Sequence, residues 1–161
     1  INKLIISFLQ EDGLIDLNQE QGFFFHKQPL MITKNDYHFH LFNGDMGMIF
    51  QNDENKLKAV FPIITQDGES DYLSLEPRLL SSLETVYAMT VHKSQGSEYE
   101  EVIVLIPDKM NPVLTNELLY TAVTRAKKKV TLIASGKILK EMAGTKVSRF
   151  SNLTNRLRSL S

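Results

Sequence analysis

The segment Val102-Ile103-Val104-Leu105-Ile106 is an unbroken run of aliphatic residues. Such runs are typical of strands that are buried on both faces of a parallel sheet. A second apolar segment, residues 130–134, has the same character, and between the two Thr115 or Asn116 can cap a helix that runs to about Lys128. Strand, helix and strand in this order predict part of a layered α/β sheet.

The stretch from residue 29 to residue 82 has a different texture, with short apolar segments between turn residues. Asn43-Gly44 and Asp67-Gly68 are strong tight-turn signals, because these residue types tolerate positive φ. Several such strands at close spacing, with no helical segment among them, predict a small antiparallel barrel. The predicted strands cover residues 30–33, 46–50, 57–64 and 72–75, and a strand over 85–91 is predicted to resume the α/β sheet.

The first 28 residues precede this predicted barrel. Apolar residues at positions 4, 5, 8 and 9 have helical spacing, which predicts a helix over residues 2–10 that ends near Gly13. The following residues are irregular, and the run Phe23-Phe24-Phe25 is predicted to be buried.

Composition limits the class of protein. The chain has 161 residues, 42% of them hydrophobic and 23% charged, which suits one compact domain or two small ones. It has no cysteine, so disulfides and thiolate metal sites are excluded. His38 and His40 lack a third ligand nearby, so no metal site is predicted. Neither a membrane-spanning run nor a signal peptide is visible, which predicts a cytoplasmic protein without membrane contact. Because residue 1 is isoleucine, the chain is expected to be a piece of a longer one.

The charge is distributed unevenly although its sum is only −1. Residues 1–124 hold 8 Lys and Arg against 18 Asp and Glu, whereas residues 125–161 hold 10 against one. Such a basic end suits a polyanionic partner. A solvated helical face that keeps the end of the chain soluble explains the charge equally well, so charge alone decides nothing.

The first candidate site is the polar loop Thr90-Val91-His92-Lys93-Ser94-Gln95-Gly96-Ser97-Glu98-Tyr99. It follows a predicted strand at the edge of an α/β sheet, where ligands commonly bind. Lys93 can meet a phosphate, Gly96 allows close approach of the backbone, and Glu98 can accept hydrogen bonds from ribose hydroxyls. An ordinary polar loop with a glycine turn has the same composition.

The second candidate site is Leu118-Leu119-Tyr120-Thr121-Ala122-Val123-Thr124-Arg125-Ala126-Lys127. On a helix, its apolar residues share one face, and Arg125 lies at the border of that face, where it can emerge at the rim of a crevice. A guanidinium there suits a γ-phosphate, because it stays charged and its planar fork matches phosphate oxygens. A surface arginine near a helix end is the simpler alternative.

The two motifs, taken in order, resemble the last two signature motifs of superfamily 1 helicases. The closer match is to the RecD-like branch, the α subunit of exodeoxyribonuclease V. The segments Pro29-Leu30-Met31-Ile32-Thr33-Lys34-Asn35-Asp36 and Phe42-Asn43-Gly44-Asp45-Met46-Gly47 resemble the entry to the SH3-like barrel of this branch. The resemblance covers residues 27–136 and is only suggestive around residues 153–157.

The resemblance implies a fold and a domain order. The fold is an α/β, RecA-like second motor lobe of the P-loop NTPase type, with an inserted small antiparallel SH3-like β-barrel. Residues 1–28 would begin this lobe, 29–82 would form the barrel, and 83–161 would complete the lobe with both motifs and a basic tail.

It also implies functional residues, which we carry over by motif. Gly96 and Glu98 would face the nucleotide, and Arg125 would be the catalytic arginine finger that contacts the γ-phosphate of ATP. The residues on the DNA side would be Thr90, His92, Lys93, Asn35 and Asn43. No metal ligand is predicted within the chain, and the Mg²⁺ that accompanies ATP would be held by an N-terminal motor lobe.

The sequence lacks a phosphate loop, which requires Gly-x-x-x-x-Gly-Lys followed by Ser or Thr. The near match at Gly144-Thr145-Lys146 has no first glycine and an extra residue before the lysine. The isolated chain is therefore expected not to hydrolyse ATP. Nor does it contain a cluster of acidic residues of the two-metal type, and in the family DNA cleavage belongs to a different subunit.

The expected function is that of the C-terminal lobe of an ATP-dependent 5′–3′ DNA helicase subunit in double-strand-break repair and recombination. Its partners would be single-stranded DNA, its own N-terminal lobe, and RecB- and RecC-like subunits. Three alternatives stay open: a RecD-like helicase that works alone, the helicase portion of a conjugative relaxase, and a non-enzymatic module that binds single-stranded DNA. In that module, Tyr37, Phe39 and Phe42 would be candidates for base stacking.

Overall fold

A computed structural model describes residues 1–17, 23–65 and 67–146. These residues form two compact units, residues 1–89 and residues 90–146 of a unit that continues to residue 161. The elements of the first unit are helix α1 (Asn2–Glu11) and strands β1 (Pro29–Ile32), β2 (Met46–Gln51), β3 (Leu57–Ile64), β4 (Ser70–Leu75) and β5 (Leu83–Thr85). Those of the second are β6 (Tyr99–Leu105), α2 (Asn116–Val123), β7 (Ala126–Ile133) and α3 (Gly136–Gly144).

The first unit is built on one antiparallel sheet of five strands, in the order β4-β3-β2-β1-β5. All four predicted strands of this region are present. The residues of β3 alternate between buried and less buried positions, and Leu57, Ala59 and Phe61 enter the core. The pairings of the described residues leave β4 and β5 at the two ends of the sheet, so the structure shows an antiparallel sheet without showing a closed barrel.

Gly47 is the residue of β2 that permits close packing against β3. A Cβ atom at this position would lie 2.6 Å from Cδ1 and Cε1 of Phe61 and 2.8 Å from the carbonyl oxygen of Val60. Contacts this short are not tolerated in a packed core, so the ring of Phe61 needs the space that the glycine leaves.

We expect Gly47→Ala to lower the free energy of unfolding by about 1–3 kcal/mol, because the ring of Phe61 must move to admit the methyl group. The matched control is Gly136→Ala at the start of α3, where no heavy atom lies within 4 Å of the added Cβ. Urea denaturation of the two variants checks this difference. Equal stabilities would show that Phe61 does not require the glycine.

The segment after β5 corrects the strand predicted over residues 85–91. Only Leu83–Thr85 is a strand, and it pairs antiparallel with β1 in the first sheet. Beyond it, the side chain of Asn2 takes the place of a strand partner: its Nδ2 donates to the carbonyls of Thr85 (3.1 Å) and Ala88 (2.9 Å), and its Oδ1 accepts from Ala88 N–H (2.7 Å). These three hydrogen bonds satisfy backbone groups of Thr85 and Ala88 that have no strand partner, and they connect α1 to the sheet.

Two further predictions for residues 1–89 have definite outcomes. The helix predicted over residues 2–10 is confirmed, and Gly13 follows it with a φ of +69°. The burial of the phenylalanine run is confirmed in part, because Phe25 is buried and Phe24 packs against the core, whereas Phe23 is 90% exposed. The hydroxyl of Tyr87 donates to the carbonyl of Lys27 (3.0 Å), and burial raises the pKa of this phenol.

The second unit contains the parallel pair that the aliphatic run predicted. Strands β6 and β7 are parallel, with Val102 opposite Val130 and Val104 opposite Leu132. Helices α2 and α3 contribute Ala122, Ile138 and Met142 to the core that Val104 enters. The prediction that the aliphatic run is buried on both faces was wrong for the described residues. On the other face of the pair, Ile103 is 71% exposed and Leu105 is 58% exposed.

The helix predicted to reach Lys128 ends earlier. Thr115 caps α2 at its N-terminus by accepting from Leu118 N–H, and the helix ends at Val123. Strand β7 then begins at Ala126, because the backbone of this segment pairs with β6 instead of continuing the helix. Helix α3 begins at Gly136 and is capped by Ser135, whose hydroxyl accepts from Ile138 N–H. The suggested resemblance around residues 153–157 lies outside the described residues. Along the described parts of the chain, no helix has the length and apolar character needed to cross a membrane.

Candidate functional site

The polar loop of residues 90–98 is held in a series of tight turns by its own backbone. The carbonyl of Thr90 accepts from the N–H groups of Lys93 (3.1 Å) and Ser94 (3.3 Å). The hydroxyl of Ser94, which is only 7% exposed, donates to the carbonyl of Val91 at 2.8 Å. The loop therefore has a defined shape, and the side chains at positions 92, 93, 95 and 98 are exposed to solvent.

Gly96 gives the loop its sharpest turn. Its φ is +87°, a left-handed conformation that residues with a Cβ rarely adopt. An added Cβ would meet no heavy atom within 4 Å, so the space in front of this residue is open. The conformation explains why a glycine is needed here, whereas the approach of a ligand to this backbone stays a prediction.

Arg125 lies at the junction between α2 and β7 rather than on the helix. Its Nε donates to the carbonyl of Thr121 (3.2 Å), which is four residues earlier. One terminal nitrogen donates to the hydroxyl of Thr124 at 3.4 Å. The guanidinium is half-buried and is fixed against the end of the helix. The predicted helical conformation at Arg125 was wrong, and its predicted place at the rim of a crevice stays a prediction.

The side chain of Arg125 also joins the second motif to the first. Its other terminal nitrogen donates to the carbonyl of Ser97 at 3.1 Å, and its own carbonyl accepts from Tyr99 N–H at 2.8 Å. These contacts bring the arginine to the loop that contains Gly96 and Glu98. A guanidinium has five N–H donors, and three are used by these described partners. The remaining two have no partner among the hydrogen bonds of the described residues.

Glu98 belongs to a row of ion pairs between β6 and β7. Its carboxylate lies 3.5 Å from Nζ of Lys127, and Glu101 lies 4.0 Å from Nζ of Lys129. Between them, Glu100 pairs with Lys128. These side chains are more than half exposed, so each pair contributes little to stability. The row does show that three of the lysines in the basic end of the chain face carboxylates, which reduces the local positive charge.

A cleft of about 300 Å³ lies between the loop and the side of α2. Thr121, whose carbonyl accepts from Arg125, is one of its lining residues, whereas Gly96, Glu98 and Arg125 are not among them. The other lining residues are His92, Gln95, Pro112, Val113, Thr115, Glu117 and Leu118. The loop therefore forms the wall of a concave polar site.

Asn35 and Asn43 are brought together in the other unit. Oδ1 of Asn35 accepts from the backbone N–H of Asn43 at 2.9 Å, across the connection between β1 and β2. Both side chains are exposed. They belong to residues 1–89, whereas Thr90, His92 and Lys93 belong to the second unit. Asn35 and Asn43 are thus neighbours in the first unit, and Thr90, His92 and Lys93 are neighbours in the second. A DNA path that contacts both groups of residues stays a prediction.

The sequence did not reveal the groups that hold the arginine. These are the main-chain oxygens of Ser97 and Thr121, and main-chain atoms carry no residue-specific signal. The spacing of four residues between Thr121 and Arg125 was available, because side chains on a helix reach back by one turn. The partner of Glu98, Lys127, required the parallel register of β6 and β7.

The comparison with protein families defines the class of protein. Residues 85–133 match the family described as UvrD-like helicase C-terminal domain. This segment contains the polar loop, both strands of the parallel pair and Arg125. Residues 85–133 therefore have the sequence pattern of a helicase C-terminal domain of this class.

Three curated relatives define the branch. The RecBCD enzyme subunit RecD of Mycobacterium tuberculosis (strain H37Rv) is 42% identical over 82% of this chain and 22% of its own length. The subunit of the same name from Haemophilus influenzae is 38% identical over 99% of this chain and 23% of its own. The ATP-dependent RecD2 DNA helicase of Deinococcus radiodurans is 39% identical over 59% and 12%. The chain belongs to the RecD-like helicases and spans less than a quarter of the length of these relatives.

Proposed function

We propose that the chain is the second motor lobe of an ATP-dependent 5′–3′ DNA helicase that acts in double-strand-break repair and recombination. It would bind single-stranded DNA and supply the arginine finger to an ATP site completed by an N-terminal lobe. The observation that supports this most is the hydrogen bond from Arg125 to the carbonyl of Ser97. It joins the two motifs whose residues are assigned to the nucleotide.

At the nucleotide, each assigned group has a chemical role that its surroundings permit. Arg125 retains two N–H donors for γ-phosphate oxygens, and its position is already fixed, so little reorganisation is needed when charge develops. Gly96 leaves the backbone accessible. Glu98 is exposed, and its carboxylate can exchange Lys127 for ribose hydroxyls. Mg²⁺ would enter with ATP and be held by the N-terminal lobe.

At the DNA, the exposed end of the loop would contact the strand backbone. Thr90, His92 and Lys93 are exposed and lie on consecutive turns of the loop. A lysine and a hydroxyl are suited to phosphate oxygens, and such contacts fix the position of the strand without reading its sequence. Asn35 and Asn43 would add contacts from the first unit.

The same proposal extends to the architecture. Strands β1 to β4 of the antiparallel sheet would form the SH3-like barrel inserted over residues 29–82, and the parallel pair with its two helices would belong to the RecA-like lobe of residues 83–161. Residues 1–28 would begin that lobe. In this arrangement β5, which follows residue 82, closes the insertion by pairing with β1.

Two kinds of assembly fit the relatives. The two RecD relatives are named as subunits of a RecBCD enzyme, which supports RecB- and RecC-like partners in the cytoplasm. The Deinococcus relative is named as a helicase in its own right, which supports a protein that works alone. Co-purification of the longer protein from its own cells distinguishes these assemblies.

We expect Lys93→Ala to weaken binding of single-stranded DNA by the 161-residue chain, because one phosphate contact is lost. The slope of log K against log salt concentration should fall in magnitude by roughly 0.7. The matched control, Lys140→Ala, removes an equally exposed lysine from α3 and should leave the slope unchanged. Fluorescence anisotropy with a labelled oligothymidine at several salt concentrations measures both. Identical slopes for the two variants would contradict the assignment of this loop to DNA.

A further inference from the structure

We infer that the connection between β1 and β2 carries a stacking platform, Tyr37 and Phe42, for an unpaired base of a nucleic-acid strand. Tyr37 is 72% exposed and Phe42 is 47% exposed, although both are large aromatic residues. Their rings are in edge-to-face contact, with centroids 6.4 Å apart and planes at 81°. The inference rests on the proposed binding of single-stranded DNA and adds a contact to bases.

The platform is fixed by hydrogen bonds from a single side chain. Nδ2 of Asn35 donates to the hydroxyl of Tyr37 at 3.3 Å, and Oδ1 of the same residue accepts from Asn43 N–H at 2.9 Å. Asn35 therefore links the residue that carries one ring to the turn beside the other. Rings that are held in place before binding lose less conformational entropy when a ligand stacks on them.

Two carboxylates near the platform are engaged by the backbone of the loop. Oδ1 of Asp36 accepts from the N–H groups of His38 (3.1 Å) and Phe39 (3.3 Å). Oδ2 of Asp45 accepts from Phe42 N–H at 2.7 Å. The acids thus shape the loop and hold Phe42. The side chains that form the platform are uncharged, which suits the face of a base better than a phosphate.

The geometry favours a base over the alternatives. An edge-to-face contact covers one face of one ring, so the pair leaves ring faces open to solvent, and every base has a π-face that can stack on them. Phe39 is different, because its side chain is partly buried and packs against the core of the sheet. The platform consequently has two rings, and they lie beside Asn35 and Asn43, which are assigned to the DNA.

The test compares binding of a labelled oligothymidine with binding of an abasic oligonucleotide of the same length, using the 161-residue chain and anisotropy at one salt concentration. We expect Tyr37→Ala and Phe42→Ala each to weaken binding of oligothymidine by about tenfold. Binding of the abasic strand should not change, because it offers phosphates without bases. Tyr37→Phe keeps the ring but removes the hydroxyl that accepts from Asn35, so it should lose much less affinity than Tyr37→Ala. Tyr72→Ala, which removes a 70% exposed ring from β4, is the matched control and should have no effect.

Each other outcome overturns the platform. Unchanged oligothymidine binding by both alanine variants would show that the rings serve something other than a base, such as a protein surface. An equal loss on both oligonucleotides would show that the rings only support the loop. An unsubstituted chain that binds both oligonucleotides equally contradicts the platform alone, whereas one that binds neither contradicts the proposed role in DNA binding and the platform with it.

Discussion

Replacing Arg125 by alanine in a protein that combines this chain with the proposed N-terminal motor lobe should reduce ATP hydrolysis by about a thousandfold or more. Arginine fingers contribute rate enhancements of this size, because they neutralise charge that develops on the transferred phosphoryl group. The guanidinium is held by Ser97, Thr121 and Thr124, so its charge is already in position before the reaction. Affinity for single-stranded DNA should stay nearly the same, since the residues assigned to the DNA lie in the polar loop and in the first unit, whereas Arg125 lies between α2 and β7.

Two further variants make this prediction specific. Arg125→Lys keeps the charge but loses the planar fork, and it should recover only a small part of the activity. Lys128→Ala removes a neighbouring cation that pairs with Glu100 and should hydrolyse ATP normally. Steady-state turnover with saturating DNA, together with thermal unfolding of each variant, separates a catalytic defect from a folding defect. Normal turnover of a folded Arg125→Ala protein would contradict the assignment of Arg125 as the arginine finger and would favour a module that only binds DNA.

Replacing Phe61 by alanine should lower the free energy of unfolding of the first unit by about 3–5 kcal/mol, which is a large part of the stability of a small domain. Phe61 is fully buried, and its ring fills the core opposite Gly47. Truncation removes this apolar surface and leaves a cavity that a paired strand cannot close.

Phe50→Ala is the matched control on β2, because Phe50 is 43% exposed and its ring contacts only the edge of His26 among the described aromatic pairs. Its cost should be about 1 kcal/mol. Urea denaturation followed by circular dichroism gives both values. A similar loss of stability for the two variants would show that burial in this sheet does not set the energetics.

The sequence predicted the elements whose signals are local. Strands β1 to β4 followed from apolar segments between turn residues, and the parallel pair followed from the aliphatic run of residues 102–106. The structure brings the two motifs into contact through the hydrogen bond from Arg125 to the carbonyl of Ser97, although the sequence did not identify that carbonyl as the partner. Binary pattern and turn chemistry act over a few residues, so they can be read without knowledge of the fold.

The errors arose where a distant part of the chain decides the local conformation. Residues 85–91 have the composition of a strand, but Asn2 bonds to Thr85 and Ala88 and ends the ladder after three residues. Residues 124–128 continue a helical pattern, but pairing with β6 makes them a strand from Ala126. Neither partner is visible in a window of neighbouring residues, so tertiary pairing overrides local propensity.

The hydrogen bonds that fix the guanidinium of Arg125 have a consequence for mutational studies. Two of its three anchors are carbonyl oxygens, those of Ser97 and Thr121, and every amino acid provides a carbonyl. Alanine scanning of these positions will therefore leave the anchors intact and report them as tolerant. Sequence variation there is compatible with an unchanged site, so positions that look dispensable in a mutational survey can still fix the guanidinium of Arg125.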